Sequence, residues 1–236
     1  MAATSAETEK VTAADPRWGE AWWWLVIPIA TAFAIWATHE WAPDFYDAKL
    51  LPEHTGYLER SHFILPFTAF VLCARMLWKH NLSAFTLLRS AVVVFAVACL
   101  YIALEEESYG QHLFEWDTPE NWSTINRQDE TNLHNTSYYF NQLPQVLLEI
   151  AIVVGGLLLP IGQAIFGKIP WSFLRILTPP LAIAPVAIAA LGFKMLDRME
   201  KTGLEMMPKP SEVTETFFVM FILFYVIMLY RRTRLL

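Results

Sequence analysis

The feature that most restricts this chain is the recurrence of apolar runs about 20 residues long. At ~1.5 Å per residue, one such run crosses a hydrocarbon layer of about 30 Å as a helix. Inside a bilayer only helices and closed barrels satisfy every backbone donor and acceptor, and runs of this length suit helices. Six qualify, at about 21–41, 59–79, 86–107, 138–166, 174–194 and 213–231. The expected fold class is therefore all-α: a polytopic membrane protein, a bundle of six transmembrane helices with a long structured loop between the third and fourth. Of the 236 residues 55% are hydrophobic, above the ~45–50% of soluble domains, and the surplus lies in those runs.

Two units are expected: a flexible polar tail over 1–20, and the six-helix domain over 21–236 with a loop at 108–137. The tail lacks the basic start and short apolar core of a signal peptide, so it reads as the approach to an uncleaved first span. Trp22, Trp23 and Trp24 open that span as an interfacial belt. The fifth span is broken by Pro179, Pro180 and Pro185, and Pro144 and Pro160 kink the fourth. Gly155 and Gly156 predict close helix contact. Cys73 and Cys99 lie within apolar runs, where they read as small buried hydrophobes. The two halves of the chain show no repeat of the kind that marks many transporters.

Positive charge sets the expected orientation. Lys10, Arg17, Arg75, Lys79, Arg89, Lys168, Arg175, Arg231, Arg232 and Arg234, ten of the 17 basic residues, fall on the side of the termini. The expectation is a bacterial inner membrane with both termini cytoplasmic. Eighteen of the 23 acids fall on the other side, with His39, His54, His62, His112 and His134. Acids carry little weight in topology, so that accumulation needs its own cause.

The third span ends on Glu105, Glu106 and Glu107, which point three ways around a helix at about 100° per residue. Tyr101, Glu105, Ser108 and His112 share a face. Gly110 ends the helix. Thr118 then caps a short helix with Pro119 first, and Phe114, Trp116 and Trp122 lay the loop along the membrane surface. The fourth span returns through His134, Ser137, Asn141, Gln145 and Glu149, read as one polar stripe. Glu149 is expected about 15 Å deep, where a carboxylate is costly and points to function. Candidate catalytic residues are Glu105, Glu106 and Glu149. Candidate metal ligands are His134, Glu105 and His112, and candidate binding residues are Asn141, Gln145, Gln111 and Glu59. Glu212 and Glu215 open the sixth span, where acids complement the helix dipole. Glu53 and Glu59 precede the second span, divided between that role and a site.

At these residues the chain resembles an uncharacterised family of bacterial multi-pass membrane proteins. That family carries Glu-Glu-x-Ser-Trp-Gly-Gln at the end of a span, then a Thr-Pro-Glu turn, then Asn-x-Gln-x-Glu-Thr-Asn-x-His-Asn. The matches are Glu105, Glu106, Ser108, Gly110 and Gln111; Thr118, Pro119 and Glu120; and Asn126, Gln128, Glu130, Thr131, Asn132, His134 and Asn135, with a weaker match at Glu53, Gly56 and Glu59. Glu107, Tyr109 and Asp129 depart from it. The resemblance covers about 30 residues and the span order, and implies no activity.

Three functions fit. One is a metal-assisted membrane enzyme with a divalent metal as candidate cofactor, acting on a lipid-linked substrate. Another is a non-catalytic subunit, assembly factor or sensor docking an envelope protein partner. A third is a proton-coupled transporter using Glu149. Apart from the lipid bilayer itself, no partner class is fixed. Nucleic acid is not expected, because no basic patch accompanies the aromatic residues.

Overall fold

The computed structural model describes residue 15 and residues 22–83, 85–167, 172–204 and 206–236. The tail expected over 1–20 lies outside the described residues, Asp15 excepted, as do Lys10, Arg17 and Lys168. Among the described residues six helices are long and apolar enough to cross a membrane, and no strand is present. They are α1 (Trp22–Trp41), α2 (Tyr57–Lys79), α3 (Thr86–Glu106), α4 (Tyr138–Phe166), α5 (Leu174–Glu200) and α6 (Pro210–Thr233). The chain is a multi-pass membrane protein by this measure. Its outward surface is the apolar one that lipid requires: Leu25, Ile29, Phe33, Ile64, Val71, Val94 and Val97 are all exposed.

The core gathers on α6. Val213, Phe217, Phe221, Phe224, Met228 and Leu229 are buried there. α2 and α5 pack along α6, α3 packs on α2, and α1 and the middle of α4 pack on α5. The order α3–α2–α6–α5–α4 is an open arc. Among the described residues α3 and α4, its two ends, do not pack along each other.

The proline positions explain one irregularity. Pro179 and Pro180 have no N–H for the carbonyls of Arg175 and Ile176, and α5 breaks there between Ser172–Leu177 and Ala184–Glu200. Buried Arg232 of α6 repairs the break: its Nη1 donates to the carbonyls of Ile176 (2.6 Å), Thr178 (2.7 Å) and Arg175 (3.2 Å). Its Nε and Nη2 hold the Asp15 carboxylate at 2.6 and 2.7 Å. Pro185 lies in the first turn of the second piece, where it breaks nothing. In α4 a π-helical stretch, Ile152–Leu158, separates two α-helical pieces. Gly156 there meets α5 and α6; a Cβ on it would lie 2.7 Å from Ala187 Cβ and 2.8 Å from Phe221 Cε2. The close contact expected of both glycines belongs to Gly156 alone, since a Cβ on Gly155 meets nothing within 4 Å.

Between α3 and α4 the chain makes three short turns of helix, Ser108–Gly110, Gln111–Phe114 and Glu120–Ser123. Ser108, Tyr109 and Gly110 all have positive φ (44°, 57° and 100°), so α3 stops two residues earlier than Gly110 alone implies. Thr118 does not cap the following helix. Pro119 stands at its boundary, and the Thr118 hydroxyl instead donates to the Asp129 carbonyl.

Candidate functional site

The segment after α3 folds back on itself through polar side chains. The Asn126 Oδ1 accepts from the amides of Gln128 (2.9 Å) and Glu130 (3.2 Å), while its Nδ2 donates to the Asn132 carbonyl at 2.9 Å. The Gln111 Oε1 accepts from the Thr131 amide (2.8 Å), and its Nε2 donates to Thr118 Oγ1 (2.7 Å). Asn132 donates to Ser108 Oγ (3.0 Å) and to Glu130. Buried Glu105 latches this fold to α3. Its Oε2 accepts from the backbone of Leu133 (2.9 Å) and His134 (2.8 Å), its Oε1 accepts from the Tyr109 hydroxyl (2.6 Å), and His134 Nδ1 lies 3.2 Å from Oε2. Burial alone lowers the His134 pKa, but its bond to Glu105 and the charges of Glu106 and Glu215 outweigh that and hold it above the ordinary value.

Glu106 turns the other way, toward buried His62 of α2. His62 Nε2 lies 3.0 Å from the Glu212 carbonyl and 3.0 Å from Thr216 Oγ1. A carbonyl only accepts, so Nε2 carries the proton. Nδ1 is buried and makes no hydrogen bond. It faces three carboxylates, Glu106 at 3.6 Å, Glu215 at 3.8 Å and Glu212 at 4.0 Å. Ligand atoms of His62, Glu106 and Glu215 lie within 4.8 Å of one another. Gln145 of α4 donates to Glu215 at 3.1 Å.

A second group stands nearer the loop. The rings of His54 and His112 stack at 3.7 Å, each with Nε2 3.6 Å from Glu130 Oε1. Burial and the neighbouring His54 ring lower the His112 pKa against the pull of Glu130.

Both groups line one cavity of about 1180 Å³. Its polar end carries Glu59, Glu105, Glu106, Glu130, Glu212 and Glu215 with the four histidines His54, His62, His112 and His134, and no Lys or Arg among the described residues lines it. The remainder is apolar, running between α3, α4, α5 and α6 past Cys99, Leu148, Ala151, Val154 and Ile222 to Tyr225. A smaller space of about 200 Å³ adjoins it at Asn141, Gln145 and Glu215. Lys194 and Lys201 border that space, each paired with buried Asp197.

The structure thus brings together Glu105 and His134, and separately Glu106 with the His62 group. Asn141, Gln145 and Glu59 line the cavity. Glu59 also accepts the His54 amide. Gln111 fastens the loop and is not in the lining. Glu149 leaves the stripe: its Oε1 takes Arg198 Nη2 of α5 at 2.6 Å, and it does not line the cavity. The reason is helical pitch, since each four-residue step drifts by about 40°, and Leu148 and Ala151 continue the cavity face instead. Glu53 pairs at the rim with Lys209 at 3.2 Å, both exposed. His62, Glu212, Glu215, His54 and Glu130 complete the groups without having stood among the foremost candidates. The usable signal was spacing: Glu212 and Glu215, three apart, share a helix face, as do Glu59 and His62. Compared with protein-family models, curated proteins and solved structures, the chain matches none.

Proposed function

We propose that this chain is a metal-assisted membrane enzyme acting on a lipid-linked substrate, with a divalent metal held by His62, Glu106 and Glu215. One observation carries the reading. The His62 ring gives its Nε2 proton to a backbone carbonyl and aims an unpartnered, buried Nδ1 at carboxylates. Metal-bound histidines are oriented in this way, and three protein ligands leave a coordination position open. A metal there supplies Lewis-acid polarisation and an activated water. Gln145 orients Glu215, and Glu212, 4.0 Å from Nδ1, is placed to hold a proton. The gap between α3 and α4 admits a lipid sideways, head to the carboxylates and tail to the apolar part. A lining with acids and, among the described residues, no Lys or Arg disfavours a phosphate headgroup and suits a neutral or amine-bearing one.

In this reading the polar end faces away from the cytoplasm, the termini are cytoplasmic, and the membrane is a bacterial inner membrane. Membership of the resembled family goes with the reading, on the motif residues alone. A transporter working through Glu149 draws no support from its pairing with Arg198. A non-catalytic subunit, assembly factor or sensor is the second reading, favoured by Leu113, Phe114 and Trp116, which stand exposed on the loop as a docking surface.

The test is metal analysis of purified protein beside turnover of extracted membrane lipids followed by mass spectrometry. Wild-type protein is expected to bind divalent metal, with His62→Gln and Glu215→Gln each losing about one equivalent and all turnover. Wild-type protein that takes up neither zinc nor manganese overturns the metal reading, and metal uptake without turnover favours the subunit.

A further inference from the structure

We infer that His54, His112 and Glu130 form a second divalent-cation site at the mouth of the same cavity. The inference goes beyond the reading above and stands on its own residues. His54 comes from the turn before α2, His112 from the helical turn after α3, and Glu130 from the loop, so the fold assembles the three from distant positions. Both Nε2 atoms converge on one oxygen, Glu130 Oε1, at 3.6 Å each. That separation is too long for hydrogen bonds, which run to about 3.2 Å. It fits the ligand-to-ligand edge of a tetrahedral site, about 3.3–3.6 Å for metal–ligand bonds of 2.0–2.2 Å.

The surroundings orient the carboxylate and the imidazoles. The other oxygen of Glu130 accepts from Ser108 (3.1 Å), Asn135 (3.2 Å) and Asn132, which fixes the carboxylate with Oε1 toward the imidazoles. On the far side of its ring, His54 Nδ1 faces the Glu59 carboxylate at 3.6 Å, and the same carboxylate accepts the His54 amide. A carboxylate behind a ligating imidazole orients the ring and raises its basicity. Ser108 Oγ lies 2.9 Å from His112 Nε2; since the one Ser108 hydroxyl proton goes to Glu130, Nε2 is the donor in that contact, and a bound cation takes its lone pair once the ring proton resides on Nδ1. With three protein ligands, the ion keeps a position for the headgroup entering beneath it, and it offsets part of the carboxylate charge. Its role is to orient the headgroup; the His62 group remains the reacting end.

The two sites are told apart by stoichiometry. Detergent-purified full-length protein is titrated with cobalt(II) and followed by visible absorption, with bound cobalt measured after desalting. The expected result is about two equivalents in wild type and about one in His54→Gln, His112→Asn and His62→Gln. His54 is exposed, so His54→Gln keeps the test decisive where the His112 variant unfolds. The spectrum lost in His54→Gln should be the one retained in His62→Gln. A wild-type stoichiometry of one, retained in His54→Gln and lost in His62→Gln, overturns the second site and spares the first. One equivalent lost only in His54→Gln supports the mouth site and removes the inner one. No binding removes both.

Discussion

Glu105 and Glu106 are neighbours in sequence with different tasks. Glu105 holds two backbone amides and the Tyr109 hydroxyl, so its carboxylate is a fastener for the loop. Glu106 presents its oxygen to His62. The helical turn of about 100° between adjacent residues is visible in any sequence, but which neighbour meets the loop depends on where the chain turns back after Gly110. For this reason the sequence marks the acidic end of α3 as a candidate cluster but not the different contacts its two neighbouring carboxylates make. His134 supplies a pH test. Its folded pKa lies above the ordinary value, so its pairing with Glu105 contributes fully below about pH 6.5 and is lost as pH rises through the folded value. Groups facing it include Glu106 and Glu215, which act in the same direction. Melting temperatures measured between about pH 6 and pH 9 should fall more for wild type than for His134→Gln; parallel curves would refute the assignment.

At the level of elements, hydropathy located five spans to within three residues, because each needs the same length to cross a bilayer, while the fifth runs six residues past its expected end, to Glu200. The irregularities were legible in part. Pro179 and Pro180 announce the break in α5, yet nothing local to them names Arg232, more than fifty residues later, as the donor that satisfies Arg175 and Ile176. Arg232 is 1% exposed, and removing one member of a buried ionic group costs about 3–5 kcal/mol. Arg232→Gln should therefore lower the melting temperature sharply, and Asp15→Asn less so, because Asp15 is part-exposed and the carbonyl bonds survive. Melting curves for both, in one detergent, check the order. Gly155 and Gly156 of α4 looked equivalent in sequence and are not, because Gly156 faces Ala187 and Phe221 and Gly155 faces open space. Gly156→Ala should destabilise by about 1–3 kcal/mol through overpacking.

At the level of the whole molecule, the open arc matters most. α3 leans on α2 and touches α6 where Phe95 meets Tyr225, α4 leans on α5 and meets α6 at Gly156, and the cavity fills the space between α3 and α4. Gly155 lines that cavity with room beside it. Gly155→Leu should leave thermal stability near wild type while reducing retention of co-purified lipid, measured by mass spectrometry of the detergent-extracted protein. A loss of stability equal to that of Gly156→Ala would mean the space is not there. No periodicity in the sequence forecasts this gap, since an exposed apolar face looks the same whether it meets bulk lipid or borders a cleft.

The depth of that cleft has a consequence for selectivity. On α6 its lining runs from Glu212 to Val226, and the part beyond Glu215 covers roughly 16 Å of helix rise. If the proposed lipid is held by its head at Glu215, its hydrocarbon chain is measured against this length. Shorter chains would then leave part of the wall uncovered and longer ones would have to curl out sideways into the bilayer, so that the cleft would act as a ruler for its guest.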